Sequence, residues 1–429
     1  MNVYVESMGC RLNRSELESL ALRFAAAGHA IAADPAESDI CVLNTCAVTA
    51  AAERKSCHRA QALACANPDG RVAVVGCCAT LAPEHCAALP GVAWVVSNAD
   101  KERTVEILTA SSHPPCVTLP LAGLWERTEA VRERDAPFHT RAFVKVQDGC
   151  DNHCTYCIVR QLRGPARSRP VADVVAEVQA LVEVGCQEVV LTGVNLGSYG
   201  RDRALPGGLG ALVEALLSHT DLPRLRLSSL EPWDVDESFL RLWENPRLCR
   251  QLHLPLQSGC DATLRRMGRP ITTVEFTRLV DAARTAVPDM AVTTDVIVGF
   301  PGEDEAAFRG SYEFVAAIEF ARLHVFRYSL RPGTAAARLP GQVPRQVRRA
   351  RARTMRELGV EQASRFRQQF VGREMSVLWE RRKRDRLWSG LTDNYLRVFA
   401  RTADNLHNRL AVTRLLAVRN GRLVGKVIG

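Results

Sequence analysis

No run of this sequence approaches the roughly 20 apolar residues that a helix needs to cross a bilayer, and no basic stretch followed by an apolar one opens it. A membrane role is therefore not expected, and a cytoplasmic location is. There is no internal repeat beyond an alternation of strand-like and helix-like stretches, and no low-complexity tract. A solenoid and a disordered chain are set aside on that ground. One further absence carries more weight. The stretch Asp148-Gly-Cys150-Asp-Asn-His-Cys154-Thr-Tyr-Cys157 holds three cysteines and has no fourth nearby.

What is present is ample for large cores: 429 residues, 47% of them hydrophobic, which predicts two or three domains. Fifteen cysteines would suggest a disulfide scaffold in a short secreted chain. In a long cytosolic one, and in odd number, they point to metal or redox chemistry plus ordinary buried thiols. The net charge of +9 is unevenly spread, because residues 370–429 hold 13 Lys and Arg against 5 Asp and Glu. That segment is a candidate nucleic-acid contact, a solvated basic face being the alternative.

Four β-rich runs, Val3 to Glu6, Ile40 to Asn44, Val72 to Val75 and Trp94 to Val96, alternate with helical patterns over 14–27, 49–65, 81–88 and 101–108. This predicts a parallel α/β domain over 1–113. In three of the units a cysteine directly follows the strand: Cys10, Cys46 and Cys77. Carboxyl ends of parallel strands share one edge of the sheet, so these thiols can converge although some 30 residues separate each from the next. Cys78 is ambiguous, and Cys41, Cys57, Cys65, Cys86, Cys116, Cys186, Cys249 and Cys260 are taken as packing residues. Residues 114–138 read as a linker.

A second domain is expected over 139–369, with strands at 142–146, 188–191, 225–228, 251–254, 292–298 and 323–326 separated by helices. Six repeats are too few for a closed eight-fold barrel, so an open partial barrel with its site at the carboxyl ends of the strands is predicted. Arg345 to Arg356 holds six arginines in twelve residues of a helical stretch running to about Phe370, expected outside the barrel or bridging to the tail. Five short strands then predict a small OB-like barrel over 370–429.

The three-cysteine loop follows an apolar strand, and its spacing lets three thiolates wrap three corners of an iron-sulfur cube. Closed structural sites use four protein ligands, so three suggest one metal left open to a substrate. A zinc loop borrowing a distant fourth ligand is the alternative. The spacing Cys-x3-Cys-x2-Cys with Tyr156 before the last cysteine resembles the radical S-adenosylmethionine (SAM) enzymes. The whole chain resembles the methylthiotransferase family among them, on Gly9-Cys10-Arg-Leu-Asn13, Asn44-Thr45-Cys46-Ala-Val-Thr49, Val75-Gly76-Cys77 and a final domain similar to the RNA-binding TRAM barrel.

The resemblance implies two 4Fe-4S clusters, one on Cys150, Cys154 and Cys157 for SAM cleavage and one on Cys10, Cys46 and Cys77 that carries or relays sulfur. It implies that one SAM donates a methyl to that sulfur and a second supplies a 5'-deoxyadenosyl radical. Breaking the C2–H bond of adenine is beyond any side-chain acid, base or nucleophile, so a cofactor-borne radical is required. As SAM contacts the resemblance points to Tyr156, to Thr192, Gly193 and Asn195 after the second strand and to Gly299 and Glu303 at the end of the fifth, while Glu231 and Gln257, after the third and fourth, are expected as ribose and carboxylate contacts by their position. Glycine there admits close backbone approach.

Its partners would be tRNA, an electron donor such as flavodoxin or ferredoxin and a sulfur source, acting on a monomer. Family substrates are a tRNA adenosine bearing N6-threonylcarbamoyl or N6-isopentenyl, or a ribosomal-protein aspartate. Arg163-Gly-Pro-Ala-Arg167-Ser-Arg169 resembles the threonylcarbamoyl branch, and an extra arginine could pair with that group's carboxylate. Phosphate contacts by Arg163, Arg167 and Arg169 are the other reading, and Arg381, Arg382, Lys383 and Arg384 are expected to hold RNA phosphates too. Arg160 and Cys78 depart from the family's usual pattern. A non-catalytic metal-cluster protein that binds RNA is the alternative class, separated by whether SAM is cleaved.

Overall fold

The computed structural model describes residues 1–110 and 140–428, so the expected linker and Cys116 lie outside the described residues. The amino-terminal unit contains β1 (Asn2–Ser7), α1 (Arg11–Ala26), β2 (Ala30–Ile31), β3 (Ile40–Thr45), α2 (Ala50–Ala66), β4 (Arg71–Gly76), α3 (Cys77–Leu81), α4 (Pro83–Ala87), β5 (Val92–Val96) and α5 (Thr104–Thr109). The strands are all parallel, in the order β2-β1-β3-β4-β5. Every residue of β3 is buried, as the middle strand of a sheet covered on both faces must be. The helix expected over 81–88 instead begins at Cys77 and is broken at Ala82, because Pro83 can open a helix but not continue one. Gly76, at φ +95°, turns the chain from strand to helix where a Cβ would lie 2.6 Å from Asn44 Oδ1.

The central unit runs β6 (Arg141–Lys145), β7 (Gln147–Asp148), α6 (Val159–Arg163), β8 (Arg167–Ser168), α7 (Val171–Glu183), β9 (Glu188–Thr192), α8 (Gly208–His219), β10 (Arg224–Leu227), α9 (Glu237–Leu240), β11 (Gln251–His253), α10 (Asp261–Arg266), α11 (Thr273–Ala286), β12 (Ala291–Val298), α12 (Glu305–Ile318), β13 (Arg322–Arg327) and α13 (Arg345–Gln368). Two parallel three-stranded sheets, β6-β9-β10 and β11-β12-β13, meet through a parallel bridge between Ser229 and His253. The six strands thus follow one another around an open barrel with their carboxyl ends together, as expected. Its apolar core runs from Val144 and Leu191 through Leu227 and Leu252 to Val296 and Phe320.

The amino-terminal unit covers the open side of this barrel and is tied at both edges. Lys145 N–H of β6 donates to Ser15 Oγ of α1 at 3.1 Å, and Ala50 N–H of α2 donates to Ser329 Oγ after β13 at 3.1 Å. Arg331 pairs with Glu53 at 2.6 Å beside the second tie.

A closed barrel follows, of β14 (Glu374–Arg382), β15 (Leu387–Thr392), β16 (Arg397–Arg401), β17 (Arg409–Arg419) and β18 (Arg422–Val427), in the order β14-β15-β16-β18-β17. Closure leaves no free edge, and Trp379, Trp388 and Leu423 fill the inside. Its turn Thr392 to Leu396 docks on the floor of the large barrel, where buried Arg226 donates to the carbonyls of Thr392 and Asp393 at 3.1 and 2.8 Å. Arg226 also pairs with fully buried Glu188 at 2.8 Å, so neither charge is left alone in the interior. Among the described residues no helix is long and apolar enough to cross a membrane.

Candidate active site

Cys150, Cys154 and Cys157 lie on the loop after β7. Gly149 at φ +70° packs so tightly on this loop that a Cβ would fall 1.9 Å from the Pro165 carbonyl. Backbone bonds pin the loop: Cys150 N–H to Gly164 O at 3.1 Å, Cys157 N–H to Cys154 O at 3.1 Å and Thr155 N–H to Met267 O at 2.9 Å. All three cysteines are half-buried and line one cleft of about 310 Å³ at the carboxyl ends of the strands. Burial pushes the Cys150 thiol up to about 11 and that of Cys157 to about 12, each further raised by its neighbouring thiols. Free, they are protonated near neutrality, and a metal must displace those protons.

Four of the expected SAM contacts, Tyr156, Asn195, Glu231 and Gln257, line the same cleft. Asn195 Oδ1 is buried without a hydrogen-bond partner among the described residues, an acceptor held ready beside the thiols. Gln257 adopts φ +71°, outside the usual range for a side chain of its kind, and is held there because its N–H donates to Asp295 O at 2.8 Å while its carbonyl accepts from Ile297 N–H at 2.8 Å. Glu231 accepts from buried Arg269 at 2.7 Å, and Arg269 stacks 4.8 Å over the Trp233 ring.

Other expected contacts are displaced. Thr192 is buried within β9, and Gly193 packs on Gln147, where a Cβ would lie 2.9 Å from Oε1. Glu303 turns away from the cleft to accept from Gly299 N–H and Arg351 Nη1, both at 2.8 Å, and a Cβ on Gly299 would meet Arg348 Cγ at 2.2 Å. Gly299 and Glu303 seat α13 on the barrel; they do not reach the cleft.

Two groups were not legible in the sequence. Gln147 accepts at Oε1 from Val194 and Asn195 N–H at 2.9 and 3.0 Å and donates at Nε2 to the carbonyls of Asp148 and Gly149 at 3.0 and 2.8 Å. One amide therefore stitches the cysteine loop to the Asn195 turn. Asp295, two residues before Ile297 and so on the same inward face of β12, lies 3.4 Å from His253 Nε2 and 3.1 Å from His324 Nδ1. Burial pushes its carboxyl up, but hydrogen bonds from the two histidines outweigh this and hold it far below the usual carboxylate range. Alternating inward positions on β11 to β13 were the signal available.

The second thiol set sits at the carboxyl edge of the first sheet. Thr45 pairs with Gly76 across β3 and β4, so Cys46 and Cys77, each the next residue, are neighbours. A Cβ on Gly9 would lie 2.9 Å from Cys46 Sγ, which brings the Cys10 turn onto the same spot. Asn13 ties the edges together, donating to the carbonyls of Met8 and Thr45 at 2.7 and 2.8 Å. Burial raises the Cys10 thiol and raises Cys46 to about 11, and Cys77 is among the charges each feels. Cys78 points elsewhere: its sulfur faces Cys57 and Cys86 and donates to Cys46 O at 3.5 Å. Cys65, expected to pack, is exposed.

Helix α6 links the two sets, starting two residues after Cys157 and ending at Arg163, a length of about 7.5 Å at 1.5 Å per residue. Its Leu162 carbonyl accepts from Asn98 Nδ2 at 2.9 Å, and that amide lies 3.5 Å from Cys77 Sγ. Arg163 is 6% exposed and donates to Glu16, Asp148 and Asn13. Expected as an RNA contact, it is instead too buried for a phosphate to reach. Arg169, half-buried, is engaged by Glu177 at 2.6 Å and by Lys145 O at 2.8 Å, so of these three arginines only Arg167 stays exposed. Arg381, Arg382 and Lys383 are exposed at the end of β14 and its turn, while the side chain of Arg384 lies outside the described residues.

Comparison with known proteins gives matches over most of the chain. Residues 144–315 match the Radical SAM superfamily and residues 2–97 the uncharacterized protein family UPF0004. The chain is 35% identical over 399 residues, 92% of it and 90% of the relative, to the threonylcarbamoyladenosine tRNA methylthiotransferase MtaB of Thermotoga maritima. It is 36% identical over 381 residues, 87% of it and 77% of the relative, to a tRNA-2-methylthio-N(6)-dimethylallyladenosine synthase of Parafrankia sp.. Among solved structures, the radical S-adenosylmethionine methyltransferase TsrM of Kitasatospora setae, with cobalamin and a [4Fe-4S] cluster bound, is similar in fold at TM-score 0.56 and 15% identity, covering 78% of this chain and 76% of that one.

Proposed function

The chain belongs to the radical SAM methylthiotransferases that act on tRNA, and from that premise we propose that it methylthiolates C2 of N6-threonylcarbamoyladenosine. Identity to relatives does not separate this substrate from the dimethylallyl one, at 35% against 36%. The cleft supports the threonylcarbamoyl reading. Among its described lining residues the two basic side chains are Arg160 and Arg327, both exposed at its mouth. A guanidinium there suits a substituent ending in a carboxylate, which it can meet with two parallel hydrogen bonds. A dimethylallyl group has no anionic end for either guanidinium to meet.

The residues present fit the family's cofactors. Three thiols on one tight loop, facing a cleft with an orphaned amide oxygen at Asn195, would hold a 4Fe-4S cluster with SAM beside it. When bound there, the cluster would supply the electron that cleaves SAM, and a second cluster held by Cys10, Cys46 and Cys77 would supply sulfur. The protein's part is placement. Gln147 fixes the Asn195 turn against the cysteine loop, and Arg269 holds Glu231. Asp295 stays ionised between two histidines as an acceptor for a hydroxyl or amine of whatever fills the cleft. Val48 and Thr49, which follow Cys46, also line the cleft, so the substrate would lie between the two thiol sets. An external electron donor and a sulfur source complete the reaction.

Mass spectrometry of tRNA nucleosides from a strain lacking the gene tests the assignment. Loss of 2-methylthio-N6-threonylcarbamoyladenosine, restored by the intact gene but only weakly by Arg327→Leu, is expected. Loss of the dimethylallyl counterpart instead would move the protein to the sister branch.

A further inference from the structure

A second and larger cavity, about 710 Å³, opens beside the active cleft and is continuous with it, since Thr49, Phe326, Arg327, Tyr328 and Ser329 line both. Its walls come from the start of α2, the end of β13 and the first turns of α13. They carry Arg54, Arg327, Arg345, Arg348 and Arg356, and no acidic residue among the described lining. Two of these guanidinium groups are braced on the edge of β13, Arg348 donating to Tyr328 O at 2.6 Å and Arg356 to Val325 O at 3.4 Å. Phe326, at the joint between the cavities, is 43% exposed and Leu330, lining the larger one, 48%, large apolar side chains left in solvent.

We infer that this groove receives the single-stranded stretch of tRNA leading to the target adenosine. The inference rests on the tRNA reading above. The active cleft has room for little more than a nucleoside and a cofactor, so the base must enter it splayed from its neighbours, as a paired base cannot. The flanking strand then needs cations for its phosphates and a flat apolar side chain on which a base can stack. That pairing of a basic track with exposed aromatics is how unpaired nucleic acid is held. Here both lie on one continuous surface ending at the thiols, whereas Arg381, Arg382 and Lys383 are on the separate small barrel. The six-arginine run of α13 thus divides its work: buried Arg351 seats the helix on Glu303, and Arg345, Arg348 and Arg356 face the groove.

The test uses full-length reconstituted enzyme and a fluorescently labelled tRNA transcript, with affinity measured across a salt series. Arg54→Gln, Arg345→Gln and Arg356→Gln together should flatten the slope of log K against log salt by about two units, at roughly 0.7 per phosphate contact on a single strand. Phe326→Ala should weaken binding about ten-fold with the slope unchanged, as loss of a stacked base would. In the triple arginine variant 5'-deoxyadenosine formation without RNA should equal wild type, and the thermal unfolding midpoint of Phe326→Ala should match wild type, which shows the barrel intact. A control removing the same charge from the barrel exterior, Arg265→Gln, Arg278→Gln and Arg309→Gln, should leave the slope alone. An unchanged slope in the groove variant, equal flattening by the control, or a slope carried wholly by Arg381, Arg382 and Lys383 would overturn the inference. Failure of the wild-type enzyme to methylthiolate tRNA would instead strike the functional reading, whatever the salt slopes.

Discussion

Arg163 donates to Glu16 at 2.8 Å, joining the helix that follows Cys157 to the helix that begins after Cys10. The pair is buried, at 4% and 3% side-chain exposure, and is enclosed by Asp148, Lys101 and Lys145. Burial pushes the Glu16 carboxyl up, but Lys101, Arg163 and Lys145 outweigh this and hold it well below the ordinary range. Arg163 also lowers the Cys10 and Cys46 thiols against the effect of their burial. One guanidinium therefore fixes the spacing of the two thiol sets and adds positive charge where thiolates must form.

Arg163→Met should destabilise the protein by about 3 kcal/mol, because it leaves Glu16 and Asp148 short of a buried partner. Thermal unfolding reads this loss. Iron and spectroscopy should show reduced loading at the amino-terminal thiols while Cys150, Cys154 and Cys157 retain theirs. Full iron content with only lowered stability would reduce Arg163 to a structural tie.

Gln147→Leu should keep its volume near native and remove four hydrogen bonds at once. Iron loading is expected to stay near wild type, while the SAM concentration needed for half-maximal 5'-deoxyadenosine formation rises at least ten-fold, through the freed Asn195 turn. Unaltered SAM dependence would show that Asn195 does not contact SAM.

Glu18, at 13% side-chain exposure in the seam between α1 and the barrel, has its carboxyl pushed up to about 7 by burial, against the pull of Arg14. A folded value above the unfolded one favours the protonated fold, so this contribution is complete below about pH 4 and is lost as pH rises through 7. Glu18→Gln should therefore raise stability at pH 8 by roughly 1–3 kcal/mol and leave it unchanged near pH 4. Urea midpoints at the two pH values measure both, and an equal effect at each would refute the titration.

Anaerobic reconstitution should load about eight irons per chain if each thiol set holds a four-iron cluster. Cys77→Ala should lose half, Cys78→Ala none, since Cys78 faces Cys57 and Cys86. Replacing Cys150, Cys154 and Cys157 with Ala should leave the other half and end 5'-deoxyadenosine formation. Persistence of that product would sink the assignment.

The local rules were enough for the elements. Strand and helix periods placed β1, β3, β4, β9 and β12 to within a residue or two, and the Cys-x3-Cys-x2-Cys spacing is itself a loop geometry. Alternation of strand and helix implies parallel strands, and parallel strands put three cysteines at strand ends on one edge of the sheet. What that alternation could not supply is the direction in which a polar side chain turns once elements pack. Arg163 reads like any arginine in a basic run, yet the docking of two units buries it against Glu16, 147 positions away. Glu303 follows a glycine turn at a strand end, where a ligand contact is reasonable, but α13 returns 48 residues later and Arg351 claims it. Conversely His253, Asp295 and His324 are ordinary in sequence and become neighbours only because the parallel strands β11, β12 and β13 set their inward positions side by side. Partner choice among charges depends on desolvation and distance, and both are properties of the packed fold.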